Sequence, residues 1–358
     1  MTWSADSPPS PQAKMANRRI NRNLLPTIAL LPWLLLTAPP TPLAATPGDP
    51  LPAAGQTEEQ VLFSHATTQS YDRQSWSVIG SQREHRVKGR ESLLEIARDY
   101  GLGYREIAMA NPKLDPLLPG DGAKVVIPAA RVLPEAPFEH GILINLAEKR
   151  LYYFFQEQAE NLVITFPVGI GATDGETPPG DFTITTKLTE PNWTVPESIW
   201  QKRPYPQRVI PPGPDNPMGS HALQLSQSSY FIHGTNRPWS IGRRATHGCI
   251  RLYPEDIPLL FRLTPPQTPV RIVRQSLKVG VRMAEVYVEV HPDNSMSNSD
   301  YLLVAQELLQ QKDLVERVDL GLLLKAVREK KGVPVRIDRE QGELRAGGDD
   351  RAPVGNKM

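Results

Sequence analysis

Between Gly141 and Val273 the chain is written in short apolar runs broken by turn residues, and this rhythm restricts the fold more than any other feature. Ile142-Leu143-Ile144-Asn145-Leu146 and Arg150-Leu151-Tyr152-Tyr153-Phe154-Phe155 flank Ala147-Glu148-Lys149 and read as a hairpin. Further strand-like runs lie at Leu162–Val168, Phe182–Ile184, Phe231–Ile232, Ile250–Leu252 and Val270–Val273. A helix needs roughly 10–12 residues of 3.6-residue periodicity, and these runs are too short for it. The 37 prolines among 358 residues point the same way, because proline is excluded from helix interiors. The expected fold is therefore mainly β, with a sandwich or barrel-like domain over residues 139–275.

The flanking segments read differently. Residues 1–14 carry no periodicity. From Met15, a second candidate start, Arg18, Arg19 and Arg22 precede an apolar run, Leu24–Leu36, and then Leu43-Ala44-Ala45. That is the layout of a cleavable secretory signal over residues 1–45. Residues 46–82 are rich in Pro, Gly, Gln and Ser and read as a linker, with one strand near Trp76–Ile79. Residues 83–130 read as strand, helix, helix, strand: His85–Val87, Glu91–Tyr100, Tyr104–Ala110 and Val125–Pro128. After a linker at 131–139 and the β-rich domain, residues 281–338 give an edge strand at 284–290 and two helices. Ser299-Asp300 caps the first and Asp319 the second. Residues 339–358 read as a disordered tail. Forty basic against 39 acidic side chains give a net charge of +1, which argues against a nucleic-acid partner.

The chemistry concentrates in Phe231–Leu252, which holds the only cysteine, Cys249, and two of the seven histidines, His233 and His247. One strand ends at His233-Gly234 and another begins after Gly248-Cys249, so the two ends can bring His233 and Cys249 together. A thiol nucleophile needs a base within hydrogen-bond reach and donors for an oxyanion. A lone cysteine is also commonly a small buried hydrophobe, and a Cys/His/His set could bind zinc, although a fourth ligand and any CxxC spacing are missing.

His-Gly, a mid-teens gap, then Thr246-His247-Gly248-Cys249-Ile250-Arg251 resembles the signature of the YkuD-type L,D-transpeptidases, cysteine enzymes of bacterial peptidoglycan. Thr177-Pro178-Pro179-Gly180-Asp181-Phe182 and the run Gly213–Gly219 are similar to the same family. The ESLLEIARDYGL helix, the ANP after the second helix and LLPGDGAKVVIP resemble a LysM module, a small glycan-binding fold. The match departs at Lys88–Glu91, where LysM modules carry Pro-Gly-Asp-Ser/Thr.

The transpeptidase resemblance implies a mechanism. Cys249 attacks the third residue of a tetrapeptide stem, D-alanine leaves, and an amine takes the acyl group from the thioester. The amine is either a diaminopimelate side chain, giving a 3→3 cross-link, or a lysine of an outer-membrane lipoprotein. His233 is the general base or the imidazolium partner of a preformed thiolate, and the backbone at Gly248 and Gly234 supports the site, with the Gly248 and Cys249 N–H groups as oxyanion donors. Arg251, His247, Thr246 and Trp193 contact substrate. No cofactor or metal is implied, and export places the protein in the periplasm. The Pro-rich stretch 187–220, with Trp193, Trp200, Tyr205, Lys202, Arg203 and Arg208, reads equally as a lid or as a packed surface loop. His221 reads as structural. Carbapenem acylation is expected of the family. The competing readings are a carboxypeptidase or amidase on the same scaffold, and a non-catalytic glycan-binding anchor.

Overall fold

The computed structural model describes residues 64–136, 138–202 and 207–339. The proposed signal segment, Arg203, Tyr205 and the tail beyond Arg339 lie outside the described residues. Among the described residues, the centre is a mixed nine-stranded sheet. Its order is Thr68–Ser70, Glu160–Pro167, Arg150–Glu157, Gly141–Asn145, Pro269–Val273, Gly180–Thr189, His221–Leu225, Phe231–His233 and Ile250–Arg251. Two neighbouring pairs are parallel, Pro269–Val273 with Gly141–Asn145 and Phe231–His233 with Ile250–Arg251.

The period-2 alternation read from the sequence explains how both faces of this sheet are covered. Ile142, Ile144, Leu151, Tyr153, Ile164 and Phe166 point into the main core with Ile232, Ile250, Leu252 and Val270. Leu143, Tyr152, Phe154 and Val163 point the other way, into a second cluster with Tyr71, Ile79 and Leu133. The helix Asp256–Leu263 closes the main core through Ile257 and Leu260. The sheet curls back on itself. Gly169 and Arg251 exchange backbone hydrogen bonds of 2.9 Å, and Ile170–Gly171 pairs in parallel with Arg244–Thr246. The segments before and after Cys249 are thus both stitched to the far end of the sheet.

The small unit is as expected in order: Arg83–Arg86, Leu93–Asp99, Tyr104–Ala110 and Lys124–Ile127, the strands antiparallel. Ser92 caps its first helix, with Glu95 completing a capping box. Three expectations need correction. Residues 64–82 are woven into sheets rather than forming a free linker, since Thr68–Ser70 pairs with Glu160–Pro167 and Val78–Ile79 with Arg131–Val132. The stretch 187–220 is organised: Trp193–Thr194 pairs with Val209–Ile210, a short helix spans Glu197–Lys202, and the buried Asn216 donates to the Pro191 carbonyl at 2.7 Å. The C-terminal region is a three-stranded sheet, Leu277–Arg282, Glu285–Val290 and Pro334–Arg336, under two helices with its own core. Its first helix, Asn298–Gln311, is capped by Ser297 rather than Ser299, because the Ser297 hydroxyl accepts from the Asp300 N–H. The second, Leu320–Glu329, starts at Asp319 as expected.

Candidate functional site

His233 closes its strand in register with Arg251 on one side and Ala222 on the other. Ile232 pairs with Ile250, so one further step back along the ladder sets Cys249 beside Phe231. Phe231 and His233 are two residues apart and share a sheet face, which puts Cys249 diagonally across from His233 on that face. The thiol is half-buried. It donates to the Ser229 carbonyl at 3.8 Å, and the Phe231 amide faces the sulfur.

The turn that presents Cys249 is held by hydroxyls. Thr246 Oγ1 donates to the Cys249 carbonyl at 2.6 Å and accepts from the Gly248 N–H at 3.2 Å. Thr177 Oγ1 donates to the Gly248 carbonyl at 2.8 Å and accepts from the Gly171 N–H at 3.0 Å. Gly248 has φ +108°, and a Cβ built there would lie 2.5 Å from the Tyr230 ring, so only glycine fits. Gly234 lies close under Ile257, where an added Cβ would come within 3.0 Å.

Burial dominates the electrostatics. The His233 ring is 4% exposed, and desolvation pushes its pKa down to about 3, helped by the Arg251 charge. The Gly234 and Met218 carbonyls act in the opposite sense, yet among the described residues Nδ1 makes no hydrogen bond of ordinary geometry. Burial also pushes the Cys249 thiol up, while the Phe231 amide and Arg251 favour the thiolate. Burial thus favours the neutral imidazole and the protonated thiol in the free protein.

The other expected residues are distributed around this pair. Arg251 is half-buried, and its Nη1 donates to the Ala245 carbonyl at 3.3 Å. His247 is exposed beside the Gly175 backbone. Thr246 is buried and serves the turn itself, so its hydroxyl is already engaged. The Gly248 N–H, expected as an oxyanion donor, donates to the Thr246 hydroxyl here; among the described residues the Cys249 N–H has no hydrogen bond. Trp193 is half-buried in the strand pair of the 187–220 segment. His221 packs its ring on Phe261 with centroids 4.6 Å apart, a structural position. Sequence reasoning quoted Thr177 as part of a family-like run without giving it a role. Its signal was a threonine before Pro-Pro, but only the fold reveals that its hydroxyl reaches the nucleophile turn. A cluster of metal-ligand groups, Glu148, Glu289 and His291, lies elsewhere and is buried; the Lys278 ammonium sits against it, 2.8 Å from Glu148 and 3.0 Å from Glu289.

Comparison with known proteins agrees with this geometry. Residues 139–272 match the L,D-transpeptidase catalytic domain, YkuD. The chain is 35% identical over 283 residues to the probable L,D-transpeptidase YcfS of Escherichia coli, covering 74% of this chain and 86% of that protein. It is 36% identical over 258 residues to the probable L,D-transpeptidase YbiS of the same organism, covering 68% and 82%. The NMR structure of the catalytic domain from the E. faecium L,D-transpeptidase aligns with 38% of this chain and 99% of that one, at 20% identity and a TM-score of 0.30. With a β-rich domain in which His233 ends one strand and Cys249 directly precedes the strand paired with it, and with relatives this similar over most of their length, the chain belongs to the YkuD family of L,D-transpeptidases.

Proposed function

We propose that this protein is a cysteine acyltransferase of peptidoglycan stem peptides, acting in the periplasm. The observation that carries the reading is the shared sheet face of His233 and Cys249, with the nucleophile turn clamped from both sides by Thr246 and Thr177. His233 takes the thiol proton as the Cys249 sulfur attacks the carbonyl of the third stem residue. The sulfur–carbon bond forms, the tetrahedral oxyanion develops against the Cys249 N–H, and the bond to D-alanine breaks. The imidazolium returns its proton to the leaving amine. An amine acceptor then attacks the thioester, forming an amide and releasing the thiolate, which recovers a proton through His233.

The neutral resting pair suits this sequence. A thiol near a desolvated imidazole stays unreactive until substrate is bound, and the Arg251 charge favours the thiolate when it forms. Arg251, whose charge acts on the sulfur, and the exposed His247 of the same turn are proposed to grip stem carboxylates. Trp193 contributes to a flap whose strand pair is anchored by Asn216. The small unit, LysM-like in its element order, is proposed to orient glycan strands over the catalytic sheet.

The deciding experiment is incubation of the purified protein with tetrapeptide muropeptides. Cross-linked dimers are expected. Tripeptide monomers alone would mean transfer to water, and a lipoprotein lysine peptide added as acceptor separates that route from 3→3 cross-linking. In parallel, mass spectrometry after carbapenem treatment should show one adduct on the native protein and none on Cys249→Ala. An adduct on the alanine variant would remove Cys249 as the nucleophile.

A further inference from the structure

A polar cavity of about 400 Å³ opens where the β-domain, the small unit and the C-terminal region meet. Four cations line it: Lys149 from the first hairpin turn, Arg105 from the second small-unit helix, Arg244 from the strand leading to the nucleophile turn, and Arg274. Two carboxylates face them. Glu176 pairs with Arg244 and lies 4.0 Å from Arg274, and Asp293 also lies 4.0 Å from Arg274. The lining is therefore positive in balance.

Lys149 is the unusual member. The residue is 5% exposed, and among the described residues its ammonium has neither a hydrogen bond nor an ion pair. An ammonium on a largely buried residue that opens onto a cavity shared with three guanidinium groups is costly to keep charged without a counter-ion. Burial pushes the Lys149 pKa down to about 8, with the charges of Arg105, Arg244 and Arg274 adding to the effect. An anion in the cavity would supply the missing partner.

We propose that this cavity is a binding site for a small organic anion carrying carboxylate groups, with the Lys149 ammonium as its central contact. The volume exceeds what a single inorganic oxyanion occupies, and Asn294 and Ser295 lie in its lining. The planar guanidinium groups of Arg244 and Arg274 suit bidentate carboxylate contact. Both touch Glu176, the neighbour of Thr177, so an anion that drew them away would be felt next to the residue that holds the Gly248 carbonyl. The site does not depend on the acyl-transfer reading.

Isothermal titration calorimetry on the full chain tests this, with malonate and inorganic phosphate as probes against sodium chloride of matched ionic strength. Malonate is expected to bind saturably, with affinity at least tenfold weaker in Lys149→Met. Lys149→Met keeps the buried methylenes, and thermal melting verifies its fold. Should it fail to fold, Arg105→Gln, altered at an exposed side chain, is expected to weaken malonate several-fold. Absence of saturable malonate binding, affinity unchanged in the variant that folds, or phosphate binding more tightly than malonate would each overturn the proposal.

Discussion

Thr177 shows how much of the site depends on one hydroxyl. It satisfies the buried Gly171 N–H and the Gly248 carbonyl together, tying the run before Pro178-Pro179 to the turn that carries the thiol. Thr177→Val keeps the shape and removes both bonds, leaving a buried donor and acceptor unpaired. About 1–3 kcal/mol of stability should be lost in urea denaturation. Turnover should fall with little change in KM, since the sulfur is displaced while the substrate contacts remain; an unchanged kcat would show that the turn holds itself. The protonation of Cys249 gives a second test. Its thiol is raised and His233 stays neutral down to about pH 3, so the thiolate fraction grows only as the pH climbs above the ordinary thiol range. Iodoacetamide alkylation of the substrate-free enzyme should be slow near neutrality and keep rising into the alkaline range. A plateau between about pH 5 and 8 would reveal a preformed thiolate–imidazolium pair.

Among the elements, the second small-unit helix, Tyr104–Ala110, is the one that fastens two domains. Its Glu106 accepts from the Gly103 N–H at 2.6 Å, capping its own helix. The same carboxylate receives Arg131 at 2.9 Å and the fully buried Arg150 of the central sheet at 2.8 Å. Burial alone would raise the Glu106 pKa; the two guanidinium groups outweigh it and hold the carboxyl below its usual range. The contact is reinforced by Arg98 on Glu255, both bonds 2.7 Å, and by the Tyr104 N–H on the Ile241 carbonyl. Glu106→Ala would strand two buried cations and should cost about 3–5 kcal/mol. Limited proteolysis of that variant should cut near residues 131–139, a segment the native protein is expected to protect. The helix itself was legible in the sequence, with its Asn111-Pro112 stop. Its docking was not, because Glu106, Arg131 and Arg150 are far apart in the chain and each reads as an ordinary surface charge.

For the whole molecule, the network around Lys278 joins the catalytic sheet to the C-terminal one. Lys278 Nζ lies 2.8 Å from Glu148, 3.0 Å from Glu289 and 2.7 Å from the Val132 carbonyl, while His291 Nε2 lies 2.6 Å from Glu289. Burial pushes Glu289 up, but Lys278, His291 and the Val132 N–H outweigh it and hold its pKa at about 2. Since that value lies below the unfolded one of 4.5, the stabilisation is complete above about pH 4.5 and fades as the pH falls towards 2. Lys278→Met would leave two buried carboxylates sharing one histidine. It should lose about 3–5 kcal/mol at neutral pH, read by urea denaturation, and should split one cooperative calorimetric transition into two as the C-terminal region separates. A single unshifted transition would mean that apolar packing alone joins the regions.

The alternation of Ile142–Leu146 and Leu151–Phe155, the caps at Ser92 and Asp319, and the spacing of His233-Gly234 and Thr246-His247-Gly248-Cys249 are local patterns, so the amino-acid order alone determined the β class and the small helical unit and pointed to Cys249 and His233 as the candidate pair. Residues 64–82 were misread as a free linker because strand pairing there is set by a distant partner, Glu160–Pro167, rather than by their own composition. The clamp from Thr177, the occupied Gly248 amide, the neutral state of His233 and the unpaired charge of Lys149 were decided only by tertiary structure. Each depends on desolvation and on contacts between residues remote in sequence, and neither quantity exists until the chain has folded.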